Sequence, residues 1–419
     1  LTASPQLSPR GAEPPTPLVL ESAPARPSRK ARRIGEALGL AVLFAFSVEA
    51  ACRVEDWVQF RTPILARERS QLDLLVRDAT GMHGRAGGRF QKWSLNAFGM
   101  RGPDVTRTKP QGIVRIVTAG ASETFGLYES PGHEYPRQLE DSLNAQFGKC
   151  GQIGAQVLNA AMPGMSLPTM DQDVRLRVSP LKPDFVVLYA TPAAYLEDAV
   201  PSAARPDSVA GHPAPLPMVN AFFPRVTERV RVQLKTLIPT VVQDEIRRRQ
   251  IRTTLLQHQP NWRFESVPAE RVAAFQSDLR SAIGAIRGIG ATPILVTHAN
   301  RFAGTSVTDV ATLRMWEKFY PRASGQTIVA FDSAARFATI AVARDSQAII
   351  VDLPPILARS GKSVFADYAH FTDAGAALVA GSVTRPIVDA ERLHLPVACA
   401  TGGSVSPRRV VLAAALAAR

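Results

Sequence analysis

Apolar residues along the middle of the chain follow two alternating patterns, and its two ends follow neither. Five short runs rich in β-branched residues stand out: Ile113–Thr118, Gln156–Leu158 with its flanks, Phe185–Tyr189, Pro293–Thr297 and Ala348–Asp352. Each is too short for a helix, and most are bounded by Gly, Pro or Asp, so they predict strands buried on both faces of a parallel sheet. Helical patterns lie between them. In Ala269–Arg287 the residues Val272, Phe275, Leu279, Ile283 and Ile286 share one face before Gly288 and Gly290 stop the helix. Strands alternating with helices predict a doubly wound α/β fold.

Around this core the pattern changes. Residues 1–33 combine a Pro-, Ser- and Ala-rich stretch with the basic run Arg26–Arg33, and hold too little apolar surface to offset ordering entropy. They are expected to be disordered. An uncharged apolar stretch follows from Ala37 to Val48, bounded by Glu36 and Glu49. With its flanks it predicts a membrane-anchor helix over 34–52, short for a span that needs roughly 20 residues. The preceding cations are expected to stay cytoplasmic and send the rest of the chain outward. A cleaved signal and a buried soluble helix are the weaker alternatives.

Residues 53–110 read as a lead-in that ends in the Gly- and Pro-punctuated Asn96–Asp104, and 111–390 as the main domain. Within that domain, roughly 197–267 is an insertion, Pro-rich at first and then basic and helical from Phe223 to about His258. Residues 391–419 read as a flexible tail whose apolar run is too short to cross a bilayer.

Composition alters this picture little. The formal charge of +13 sits largely in the N-terminal run and in scattered arginines, without the interleaved aromatics of a nucleic-acid surface. Cys52, Cys150 and Cys399 are too few and too far apart for a disulfide framework, a redox pair or a zinc site.

Candidate chemistry gathers at three places. The first predicted strand runs into Ala119-Gly120-Ala121-Ser122-Glu123, a tight turn that puts a hydroxyl at a helix entry, where Ser122 can supply both a nucleophile and a backbone N–H. The second ends in Asn159-Ala-Ala-Met-Pro-Gly164, whose glycine leaves room for a substrate to approach its N–H. Late in the chain stands Asp367-Tyr-Ala-His370, where a carboxylate can orient one imidazole nitrogen and leave the other to take a proton. The remaining histidines, His83, His133, His212, His258, His298 and His394, have no comparable sequence setting.

In that order, Gly-x-Ser-x-x-x-Gly, Asn-x-x-x-Pro-Gly and Asp-x-x-His-x-x-x-x-Gly resemble the SGNH/GDSL hydrolases over roughly residues 111–390. The resemblance implies a flavodoxin-like three-layer sandwich with a parallel sheet of about five strands. It also implies Ser122 as nucleophile, His370 as base oriented by Asp367, and Ser122 and Gly164 as oxyanion donors, with no metal or organic cofactor. Asn159 and Thr191 are candidate substrate contacts. The lead-in Asn96–Asp104 resembles a segment that precedes this domain in membrane-anchored bacterial members.

Two departures stand out. Ala121 replaces the Asp of the namesake motif, and Ala193 falls where the family's oxyanion-hole Asn is expected. Losing one such donor typically costs on the order of 10²–10³ in rate.

The expected function is therefore ester hydrolysis through an acyl-enzyme, on O-acyl and chiefly O-acetyl groups of a carbohydrate or other small ester. The expected place is the inner membrane of a bacterium, with the domain facing outward. Acyl transfer to the same class of substrate, or a non-catalytic carbohydrate-binding role, are the alternatives.

Overall fold

The computed structural model describes residues 29–148, 154–202, 222–302, 309–360 and 362–392. The expectations for residues 1–28 and 393–419, and for Cys150, Cys399, His212 and His394, lie outside the described residues.

The chain divides into two compact units, one ending at Val48 and one starting at Glu49. Helix α1, Arg29–Phe60, carries the apolar stretch and extends past the expected 34–52 at both ends. Residues 29–33 are helical rather than disordered: Arg, Lys and Ala are good helix formers, and Arg32 pairs with Glu36 one turn on at 2.9 Å. The lead-in expected from residue 53 thus begins inside this helix. From Arg32 to Phe60 the helix is long and apolar enough to cross a membrane.

In the second unit the chain runs through β1 (Ile113–Gly120), α2 (Ser122–Phe125), α3 (Tyr135–Phe147), β2 (Gly154–Asn159), α4 (Leu167–Asp173) and β3 (Phe185–Tyr189). It continues through α5 (Pro224–Leu237), α6 (Thr240–Leu256), α7 (Ala269–Gly288), β4 (Thr292–Val296), α8 (Val310–Phe319), α9 (Gly325–Asp345), β5 (Ile349–Val351), α10 (Pro354–Ala358) and α11 (Asp373–Arg392). These five strands form one parallel sheet in the order β2-β1-β3-β4-β5, the flavodoxin-like order, while the lead-in holds two short antiparallel pairs, Leu75–Asp78 with Gly81–Gly84 and Arg89–Phe90 with Trp93–Ser94. The domain's last helix reaches Arg392, so the first residues assigned to the tail belong to it.

Alternation within the strands builds the layers, because successive side chains point to opposite faces. Val186 and Leu188 of β3 join Val117, Leu158 and Leu295 in a core against α4, α7 and α9. Phe185, Val187 and Tyr189 join Val114, Ile116 and Ile294 in a second core against α3 and α11. Three layers follow directly from this two-sided burial.

The helix expected from Phe223 to about His258 is two helices, interrupted at Ile238-Pro239 because a proline there cannot donate to the helical ladder. Helix α5 is tied to the last turns of α1: Glu49 accepts from the N–H groups of Arg225 and Val226, and the Arg225 guanidinium meets the Asp56 carboxylate at 3.1 Å. Helix α6 is held to α8 by an Asp244–Arg314 ion pair.

Candidate active site

The carboxyl end of the sheet gathers the chemistry. Ser122 follows β1, Thr191 follows β3 and His298 follows β4, so three adjacent strands deliver polar residues to one edge. The turn from β1 into α2 leaves no room for a side chain at Gly120: a Cβ there would lie 2.1 Å from Thr124 Oγ1 and 3.0 Å from the Tyr189 carbonyl. Only a glycine lets the chain turn that sharply and present Ser122 as the first residue of α2.

His370 arrives from the other end of the domain. Its loop is closed by a bridge between Phe365 and Phe371 and by the His370 carbonyl accepting from Ala366 N at 2.8 Å. Gly375 packs against this loop, where a Cβ would sit 2.0 Å from the Val364 carbonyl. The His370 Nε2 atom stands 2.9 Å from Ser122 Oγ. On its other side Nδ1 lies 2.8 Å from Asp367 Oδ2 and 3.0 Å from Oδ1. Asp367 Oδ1 also accepts from the N–H groups of Ala369 and His370, which fixes the carboxylate. Ser122, His370 and Asp367 therefore form one continuous hydrogen-bonded line, which requires the proton of His370 on Nδ1 for Nε2 to receive one from serine.

Electrostatics favour that arrangement. Burial works against charge on His370, but the Asp367 hydrogen bond and the nearby charges of Glu123 and Asp367 outweigh it and raise its pKa above the ordinary 6.5. Burial likewise opposes ionisation of Asp367, yet its bonds to His370 and the two backbone N–H groups keep its pKa below the usual value.

These residues open onto a cleft of about 660 Å³. Gly164 and Met165 form part of its rim, Tyr128, Trp316 and Tyr368 give it aromatic walls, and Ile246, Arg247 and Gln250 of α6 face it from the insertion. Thr191 and Ala194 line it as well; Ala193, where an oxyanion Asn was expected, is buried and is not among the lining residues. Asn159 is buried beneath the cleft: its Nδ2 donates to Thr124 O and its Oδ1 accepts from Ala161 N, so it braces the turn that carries Ser122. The Thr191 hydroxyl donates to the Glu123 carboxylate at 3.2 Å.

The lead-in takes part in the same bracing. Buried Arg101 donates to the carbonyls of Phe125 and Gly126 and pairs with buried Glu134 at 3.0 Å. Its backbone N–H reaches Asn159 O at 2.9 Å, and Trp93 donates to Gly126 O. Asn96, through its side-chain oxygen, accepts from Phe98 and Met100 and shapes the loop that carries Arg101. The Asn96–Asp104 segment therefore clamps the end of α2.

Sequence reasoning missed one group. Glu123, His298 and Asp332 form a buried array directly under Ser122, although His298 lies in an apolar strand end with no motif around it. The only sequence signal was a polar residue directly after the β4 run, at the carboxyl end of a central strand.

No family model and no curated sequence matches the chain. Among solved structures, similar ones include an acetylxylan esterase from Geobacillus stearothermophilus, with 14% identity, a TM-score of 0.36 and coverage of 65% of this chain and 93% of that one. A lipase/acylhydrolase from Enterococcus faecalis has 19% identity and a TM-score of 0.36, with 66% and 96% covered. An α/β hydrolase from the metagenome of Lake Arreo, Spain, has 12% identity and a TM-score of 0.37, with 65% and 94% covered. At these values none of them transfers a property to this chain.

Proposed function

We propose that this chain is a serine ester hydrolase that works through an acyl-enzyme on Ser122. The observation that carries the reading is the line Ser122 Oγ, His370 Nε2, His370 Nδ1 and Asp367, with steps of 2.9 and 2.8 Å, opening onto a cleft at the carboxyl end of a parallel sheet. Ser122 attacks the ester carbonyl as His370 takes its proton, and Asp367 stabilises the imidazolium that forms. The N–H groups of Ser122 and Gly164 are the expected oxyanion donors. His370 then returns the proton to the leaving alcohol, and water activated by the same imidazole releases the acid.

The substrate class that fits is an O-acyl, chiefly O-acetyl, ester of a carbohydrate or other small alcohol. The exposed ring of Tyr128, with Gln250 and Arg247 also lining the cleft, combines a stacking surface with hydrogen-bond donors, as a sugar requires. Helix α1 serves as a single-pass anchor with Arg26–Arg33 on the cytoplasmic side, which sends the domain outward, toward the periplasm or the exterior.

A second reading, acyl transfer to a sugar hydroxyl, draws on the α6 wall, where Arg247 and Gln250 add hydrogen-bonding groups for an acceptor to the cleft. Both readings are tested by feeding the 419-residue chain in detergent an activated acetate ester with and without an acetylatable oligosaccharide. Hydrolysis lost in Ser122→Ala supports the esterase. Faster turnover with acetylated sugar as product selects transfer, and no turnover in either setting overturns both.

A further inference from the structure

Ser122 sits between two carboxylate–imidazole groups. On the cleft side are His370 and Asp367. On the core side, Glu123 Oε2 lies 3.3 Å from Ser122 Oγ, Glu123 Oε1 lies 3.3 Å from His298 Nε2, and His298 Nδ1 makes a 2.6 Å charge contact with Asp332 Oδ1. Asn300 fixes the far end by donating to Asp332 Oδ2 at 2.7 Å, and Thr191 donates to both oxygens of Glu123. Glu123, His298 and Asp332 are each 3% exposed.

Three ionisable groups buried in a line are costly, and apolar residues of similar size would serve the fold as well or better. The array therefore calls for a reason beyond packing, and its point of contact with the nucleophile supplies one. We propose that Glu123, kept ionised and in place by His298 and Asp332, is a positioning residue for the Ser122–His370 pair. It offers the serine hydroxyl a second acceptor in the resting site, and its fixed negative charge favours the imidazolium that His370 becomes as Ser122 attacks. The Thr191 hydroxyl proton is engaged by this carboxylate, so Thr191 belongs to the same array.

Charge states agree with this geometry. Burial disfavours both ions, but His298 and His370 hold Glu123 down at about 2, while Asp332 and Glu123 hold His298 up at about 10. At neutral pH the two therefore carry opposite charges. The groups facing His370 are Asp367 on its own loop, Glu123 from α2, Glu129 from the loop after α2, and the rings of Tyr128 and Tyr368 at 5.3 and 5.8 Å. Those facing His298 are Glu123, Asp332 and the rings of Tyr189 and Trp316, at 5.4 and 6.5 Å. Of these, Glu123 alone touches Ser122 and is shared by both imidazoles.

This inference rests on Ser122 being the nucleophile, and the test separates the two. The rate at which a fluorophosphonate labels the 419-residue chain in detergent is followed from about pH 5 to about 9, the range over which a histidine changes charge. Glu123→Gln is expected to slow labelling on the order of tenfold near neutrality. It is also expected to move the acid limb to lower pH, because His370 loses a nearby negative charge. Glu123→Asp, with its charge one methylene further back, gives an intermediate midpoint and serves where the glutamine variant does not fold. The double variant Glu123→Gln/His298→Asn, which removes both charges together, is no slower than Glu123→Gln alone. A labelled parent whose Glu123 variants keep its rate and its pH midpoint overturns this inference alone; an unlabelled parent overturns the nucleophile and the inference with it.

Discussion

His370 and His298 stand on opposite sides of one serine, and the contrast between them separates what the site does from what holds it. Both are buried, and both are paired with a carboxylate through Nδ1. His370 has a carboxylate in contact with one nitrogen only; its other nitrogen meets a hydroxyl and the cleft, which leaves it free to take up and return a proton. His298 is clamped between Glu123 and Asp332, which hold its proton up to a pKa of about 10, so it keeps a constant charge at neutral pH. The same ring suits a base in one setting and a fixed cation in the other, and what decides is whether one of its nitrogens or both are in contact with a carboxylate.

If that contrast holds, damage on the His370 side removes chemistry, whereas damage on the His298 side mainly alters stability and tuning. The largest effect is expected from Ser122→Ala, which should lower kcat on a soluble ester by a factor on the order of 10⁴ or more with little change in thermal midpoint. Asp367→Asn comes next, at a loss on the order of 10³–10⁴ in kcat, because an amide there no longer selects the Nδ1–H tautomer; steady-state kinetics check both.

Gly120→Ala probes the scaffold under both histidines. Its new methyl meets Thr124 and the Tyr189 carbonyl, and a loss of about 1–3 kcal/mol is expected in denaturant unfolding.

The pH dependences run in opposite directions. In the proposed mechanism His370 accepts a proton only when neutral, so kcat/KM should be full above its raised pKa and fall as pH drops through it. The stability that the charged His298 contributes is complete below its ordinary value of 6.5 and is lost as pH rises through about 10. Parent and His298→Asn should therefore converge in thermal midpoint as pH climbs across that interval. The smallest effect belongs to the cleft's outer wall, where Ile246→Ala should raise KM a few-fold and leave kcat almost unchanged.

Sequence pattern and structure agree best where local rules are strict. All five sheet strands lie at or overlap the apolar runs, because a strand buried on both faces has to be short and continuously apolar; the edge strand β5 departs from that burial and leaves Ile350 exposed. The turn that carries Ser122 and the Asp367–His370 pair were legible because each is encoded within a few residues, by Gly120 before the serine and by the three-residue Asp–His spacing; the fold brings the two pieces together. The Glu123–His298–Asp332 array was not legible, since its members lie in α2, after β4 and in α9, and only the strand order brings them together. Arg101 was hidden for the same reason: its partners, Glu134 and the carbonyls of Phe125 and Gly126, lie more than twenty residues further along the chain. The break at Ile238-Pro239 was legible in principle, because proline marks it, but the continuous basic and apolar pattern on either side masked it.

If Ser122 is an activated nucleophile, covalent labelling reports that property without any assumption about the substrate. The 419-residue chain in detergent is treated with a fluorophosphonate, its intact mass is measured, and the modified peptide is sequenced. One adduct per chain, located on Ser122 and absent from His370→Ala, is the predicted result. A folded chain that takes up no adduct, or carries it elsewhere, would rule out Ser122 as the nucleophile.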